Sequence, residues 1–196
     1  MARIWRASRR RVPQTRRVSG PALARAEALV AERLGHDPAL VQHSARTAQR
    51  AAELCRRIPA SRDVVVAAWL HDIGYSPSLR RTGFHPLDGA LYLMGQGWPD
   101  RVVRLVAHHS YAALEAPFYG VAHHLGVIEM VPGRDADILI SADLVSGSGD
   151  PAPPVEARIE EMRQADRELG LVPVEVCEER YSALREAHLR VKALLA

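Results

Sequence analysis

The histidines and carboxylates of this 196-residue sequence are the groups whose positions ask for a chemical explanation. Nine histidines occur, and six of them fall between positions 71 and 124, most at the ends of apolar stretches. Imidazole and carboxylate are costly to bury unless they are paired or bound to a metal. Yet His71-Asp72 follows directly on the apolar run Val64-Val65-Val66-Ala67-Ala68-Trp69-Leu70. At a helix end the backbone leaves helical geometry, so both side chains of such a pair can turn to one ion. His43 and Asp143 would complete a set of four protein ligands, with the remaining positions open to water, as in a catalytic site. Imidazole and carboxylate without thiolate suit Fe, Mn, Co, Ni or Zn, and suit Mg less well. Neither Cys55 nor Cys177 has a Cys or His at zinc-motif spacing, so the sequence points to no cysteine metal site and no disulfide framework.

Something must hold these residues in place, and the pattern of the chain is helical throughout. Ser19-Gly20-Pro21 reads as a helix start leading into Ala22 to Leu34, with Leu23, Ala26, Leu29 and Val30 on one face. A second helix begins near Pro38, carries His43, Thr47, Ala48, Ala51, Leu54 and Cys55, and stops at Pro59. Ser61 is placed to cap the third, with Asp63 in its first turn. The Val-rich run could be a buried strand, but no alternating partner strand occurs and the flanks read as a cap and a terminal Gly74. Further helices are expected at His85 to Met94, from Pro99-Asp100 to His108-His109, at Arg134 to Val145, and, after a turn-rich linker, at Val155 to Leu169 and Val176 to Leu195. Ser110 to Gly133 has no regular period. These are the seven or eight helices of an all-α protein.

The order His43, His71-Asp72, His85, His109, Asp143 resembles the HD-domain superfamily of metal-dependent phosphohydrolases. His71-Asp72-Ile73-Gly74 reproduces the HDIG motif of that family literally. The resemblance covers roughly Pro38 to Ser146. It implies an HD helical bundle and a divalent metal held by His43, His71, Asp72 and Asp143. His85, before Asp88-Gly89-Ala90, and the pair His108-His109 are similar to the extra histidines of the branch that holds a second metal, so one or two ions are expected. The following Ser110 favours His109 over His108. Tyr75 and Ser110-Tyr111-Ala112 depart from the motifs of the cyclic-dinucleotide phosphodiesterases, so that activity is not expected.

Metal chemistry then suggests a reaction, hydrolysis of a phosphate ester or anhydride, plausibly of a nucleotide, by metal-activated water. Asp72, His85 and His109 are the candidate catalytic residues. Arg46, three residues after His43, and Arg80 and Arg81, between the HD pair and His85, are the candidate phosphate contacts, since Arg is the best bidentate donor. The same ligands also resemble those of mixed-valent di-iron oxygenases, and a non-catalytic metal-binding regulatory domain is a third reading. Asp135 and Asp137 compete with Asp143 on one helix. His36, His188 and the pair His123-His124 read as surface or packing residues, and Trp69 and Trp98 as core.

Composition sets the outer bounds. Apolar residues form 47% and charged residues 25% of the chain, as in soluble globular proteins. Seven Arg and no acid fall in residues 1 to 17, and removing those seven from the 26 Lys and Arg leaves 19 against 23 acids. The basic character therefore belongs to a tail, residues 1–20, and the remainder, 21–196, reads as one helical domain with its core at 38–146 and C-terminal helices at 155–195. The tail, with Trp5 alone, lacks the interleaving of aromatic and basic residues that single-strand nucleic-acid binding uses, so nucleic acid is not the expected partner. No apolar run reaches the roughly 18 to 20 residues that span a bilayer, and no signal-like stretch follows the basic start, so a cytoplasmic, non-membrane protein acting on a small phosphorylated molecule is expected. The C-terminal helices could pack on their own domain or across a homodimer.

Overall fold

The computed structural model describes residues 20–146 and 154–196; the basic tail and most of the turn-rich linker lie outside the described residues. All regular structure among the described residues is helical. In order these are α1 (Gly20–Leu34), α2 (Pro38–Arg57), α3 (Asp63–Leu70), a 3-10 turn (Ile73–Tyr75), α4 (His85–Gly95), α5 (Asp100–His108), a second 3-10 turn (His109–Tyr111), α6 (Ala112–Glu115), α7 (Ala122–Gly126), α8 (Arg134–Leu144), α9 (Val155–Leu169) and α10 (Val174–Ala193). Eight of them have eight residues or more, which agrees with the all-α expectation.

The Val-rich run is a helix, and its position explains its lack of periodicity. α3 packs against α1, α2, α5 and α8, so Val64, Val66, Ala67, Ala68 and Leu70 are all buried. A helix surrounded by other helices needs no polar face. Burial of each large side chain contributes about 1.5–3 kcal/mol, so this segment anchors the core. Its expected cap falls differently: Arg62 occupies the capping position, and Ser61 Oγ accepts from the Asp63 amide at 3.2 Å. α2 has a cap that the sequence reading overlooked. The Asp37 carboxylate accepts from the amides of Ala39 and Leu40 at 3.0 and 3.2 Å, with Pro38 at the first helical position.

The stretch expected to be irregular, Ser110 to Gly133, is built from two single-turn helices. Ala112, Ala116, Val121, Leu125, Ile128 and Val131 are buried along it, so it is fastened to the core rather than loose. The C-terminal helices pack on α8 of their own chain. Ile140 and Leu144 of α8 form a second, smaller core with Ile159 of α9 and Cys177, Tyr181, Leu184 and Ala187 of α10. This places α9 and α10 over the end of α8 that carries Asp143.

Candidate metal centre

Five helices deliver six residues to one place. His43 comes from α2, His71 and Asp72 from the end of α3, His85 from the first position of α4, His109 from just beyond α5, and Asp143 from the last turn of α8. Asp72, with φ −97° and ψ 8°, has left helical geometry, which turns its carboxylate beside the His71 ring. Gly74 is required by a close approach: a Cβ there would lie 2.0 Å from the His85 carbonyl oxygen and 2.7 Å from the Gly89 nitrogen. The turn after Asp72 therefore sits directly on the start of α4. Asp88 secures the other side of that start. Its buried carboxylate accepts from the amides of Arg81, Thr82 and Gly83 and from the Thr82 hydroxyl at 2.9–3.2 Å.

Three of the four histidines are oriented by one device. His71 and His109 each follow an apolar helix, and their Nδ1–H groups donate back to carbonyls of the last turn, Ala68 at 2.9 Å and Val106 at 2.7 Å. These carbonyls have no helical partner of their own. His43 Nδ1–H donates to the Ser146 carbonyl at 3.0 Å. A carbonyl only accepts, so in the neutral ring the hydrogen stands on Nδ1 and Nε2 presents its lone pair.

Those lone pairs face one another. His43 Nε2 lies 3.2 Å from His71 Nε2 and 3.0 Å from Asp143 Oδ1. His109 Nε2 lies 3.2 Å from His85 Nε2. Asp72 reaches both pairs: Oδ2 is 3.3 Å from His71 Nε2 and 3.7 Å from His43 Nε2, while Oδ1 is 3.5 Å from His85 Nε2 and 3.7 Å from His109 Nε2. Acceptors converging at such distances repel unless a proton or cation lies among them. Ligands at roughly 2.0–2.2 Å from a common ion stand about 3.0–3.4 Å apart, so the donor set fits a divalent metal. Two groups could each hold one ion, His43, His71 and Asp143 in the first and Asp72, His85 and His109 in the second.

The charges point the same way. Burial opposes charge on His71, but the Asp72 and Asp143 carboxylates outweigh it and hold the imidazole well above its ordinary value. Burial likewise opposes ionisation of Asp72 and Asp143, yet the adjacent imidazoles, His71 foremost, hold both well below the usual carboxylate range. His85 goes the other way, pushed down to about 3 by burial that Asp72 only partly offsets. A pair of carboxylates that retains a proton on one histidine would retain a cation in its place.

Other candidate residues are placed elsewhere. His108 joins neither group, because its Nε2–H donates to the Ile128 carbonyl at 2.7 Å, so of the adjacent pair only His109 faces the centre. Arg46 does not line the cavity; its Nε–H donates at 3.3 Å to the same Ser146 carbonyl that holds His43. Arg80 and Arg81 are exposed and also outside it, Arg81 contributing its amide to Asp88. Asp135 accepts from Arg101 and Asp137 from Arg190, which leaves Asp143 as the carboxylate of α8 at the centre. His36, His123 and His124 are exposed, and His188 pairs with Ser141.

The centre forms one wall of a cavity of about 240 Å³. Tyr75 and Ser110 flank it, and Ser110 Oγ donates to Asp143 Oδ2 at 2.8 Å. Ser110 and Tyr111 both have positive φ, 52° and 57°, a backbone strain of order 1–3 kcal/mol each that turns the chain between His109 and α6. The opposite wall was not foreseen: Glu115 of α6, Arg158, Met162 and Asp166 of α9, and Arg180 and Leu184 of α10. Arg158 pairs with Glu161 at 3.0 Å, and buried Arg180 bridges Glu115 at 2.7 Å and Asp166 at 2.5 Å. Three carboxylates thus pair with the terminal nitrogens of both guanidinium groups, while the Nε of Arg158 and of Arg180 has no partner among the described residues.

An all-helical bundle whose helix ends converge on a buried His/Asp centre beside a cavity presents two donor groups that could each hold a metal ion. The family model of the HD domain matches residues 40–167, which takes in all six residues of the centre and most of α9, and the chain belongs to that family. Its members bind divalent metals and are commonly metal-dependent hydrolases. No curated protein and no solved structure matches the chain. Among the described residues no helix is long and apolar enough to cross a membrane.

Proposed function

We propose that the protein is a metal-dependent phosphohydrolase that cleaves a phosphate monoester at a two-ion centre. The supporting observation is the position of Asp72, whose two oxygens reach two separate groups of histidines. His43, His71 and Asp143 would hold one divalent ion and His85 and His109 the other, with Asp72 between them; Fe, Mn, Co, Ni or Zn suits these donors better than Mg. Such ions lower the pKa of water towards neutrality and neutralise charge on a phosphoryl oxygen. The chain's own residues do the rest. The carbonyl anchors hold Nδ1–H outward and aim Nε2 inward, where an ion would take the place of the proton on His71. Ser110 fixes the rotation of the Asp143 carboxylate. α9 and α10 wall the site from bulk water, and Met162 and Leu184 offer apolar contact to the organic part of a substrate.

The wall also restricts that organic part. With both guanidinium charges paired and carboxylates in excess, a second anionic group on the substrate would meet repulsion, while hydroxyl groups would find donors and acceptors side by side. A nucleotide admitted here carries one phosphoryl group rather than three. Full-length protein loaded with Mn²⁺ or Co²⁺ is expected to release phosphate under anaerobic conditions. Among two-carbon esters, 2-hydroxyethyl phosphate should exceed phosphoglycolate in kcat/KM at least about tenfold, the worth of roughly 1.4 kcal/mol of differential charge interaction. A preference for phosphoglycolate would refute the reading of the wall. Oxygen consumption by iron-loaded protein without phosphate release would identify an oxygenase instead, and metal binding with no turnover of any ester would leave a binding domain.

A further inference from the structure

The four histidines of the centre are not held alike. His43, His71 and His109 each have Nδ1 anchored to a backbone carbonyl at 2.7–3.0 Å. His85 has no such carbonyl among the described residues, and its side chain is the most exposed of the four, 24% against 13% for His43, 1% for His71 and 2% for His109. In place of the carbonyl it has an aromatic ring. Tyr75 lies on the His85 imidazole with centroids 3.9 Å apart and planes 15° from parallel, a stacked pair. Tyr75 itself is 49% exposed at the cavity edge.

Local sequence imposes this stack. Tyr75 is the third residue after Asp72, its amide donates to the Asp72 carbonyl at 3.0 Å, and Gly74 lets the turn rest on the His85 backbone. Stacking restrains tilt and position of a ring but, unlike a hydrogen bond to a carbonyl, leaves it free to rotate in its own plane and leaves its tautomer open. A ligand held this way commits less of its orientation before a metal arrives.

We propose that the two metal positions differ in lability: the ion at Asp72, His85 and His109 exchanges, the ion at His43, His71 and Asp143 is retained, and Tyr75 is the positioning residue that sets the exchange rate by stacking on His85. This rests on the two-position reading given above. Its role is separable from catalysis, because it is read in metal release.

The test uses full-length protein loaded with Co²⁺ and mixed with an excess of a chromophoric chelator. Wild type should release two ions per chain in two phases of equal amplitude, and His85→Ala should remove the fast one. Tyr75→Ala should speed the fast phase about 10- to 100-fold, the usual scale for loss of a group that orients a ligand, and leave the slow phase unchanged. Tyr75→Phe keeps the ring and should restore wild-type rates. Two ions leaving together, or a Tyr75→Ala fast phase like that of wild type, would overturn the inference while leaving the two-ion centre intact. A single ion per chain in wild type would overturn the two-position reading as well. Two-phase release that follows the expected pattern, with no ester hydrolysed, would uphold the inference and reject the proposed activity.

Discussion

Asp72→Asn should abolish turnover and empty both metal positions, even though the side chain keeps its size. The Asp72 carboxylate stands within 3.3–3.7 Å of four imidazole nitrogens and supplies the only negative charge of its group of three donors. An amide offers one acceptor oxygen and no charge, so it cannot serve both positions. Loss of a merely orienting neighbour weakens metal binding about 10–100-fold, and loss of a shared ligand should exceed about 100-fold at each position. Metal analysis after gel filtration, with circular dichroism to verify helix content, reads the result. Asp72→Asn protein with both ions bound would show that the two groups do not depend on their common residue.

Arg180→Met is expected to have the largest effect on folding. Arg180 is 7% exposed and lies between Glu115 and Asp166, and the Tyr181 hydroxyl also donates to Asp166. Removing one member of a buried ion network leaves carboxylates without a counter-charge and costs about 3–5 kcal/mol. For a chain of this length that corresponds to a fall in Tm of roughly 6–20 °C. The deficit should depend on pH with a definite sign. Burial already pushes the Glu115 carboxyl above its ordinary value even with Arg180 beside it, and without the guanidinium it must rise further. A carboxyl whose folded pKa lies above its unfolded value destabilises the fold above that folded pKa and ceases to do so as the pH falls through it. The gap between variant and wild type should therefore be narrower at pH 5 than at pH 8. A gap independent of pH would mean that lost packing of the long side chain, and not unpaired charge, carries the cost.

The centre was legible in the sequence because its geometry is local. An apolar helix that ends in His-Asp and turns at a glycine can only present those side chains at a buried helix end, and the ring of a histidine just past a helix folds onto that helix's own carbonyls, as His71 and His109 do. His108 and His109 show how fine the distinction is. α5 ends at His108, and His109 with ψ 157° turns the chain, so one residue decides whether an imidazole meets Ile128 or Asp72. No periodicity marks that step, although Ser110 hinted at it.

The cavity wall was illegible for a different reason. Arg158, Asp166 and Arg180 sit on C-terminal helices remote in sequence from the HD motif, and only the packing of α9 and α10 on α8 turns them towards the centre. Arg46 has the spacing from His43 of a phosphate contact, but its Nε–H donates to the carbonyl of Ser146, a hundred residues away in sequence. Arg80 and Arg81 sit on the loop before His85, yet that loop is drawn in by Asp88 through backbone amides, which leaves the two arginine side chains in solvent. Tyr75 stood in plain view as a departure from a known motif; its stacking on His85 depends on the approach that Gly74 permits.

The most direct test of the whole account is the metal content of the full-length wild-type protein after loading with Mn²⁺ or Co²⁺ and removal of excess ion. Two ions per chain, falling to one in His85→Ala, is the predicted result. No ion retained under any loading condition would contradict the central claim that these six residues form a metal centre.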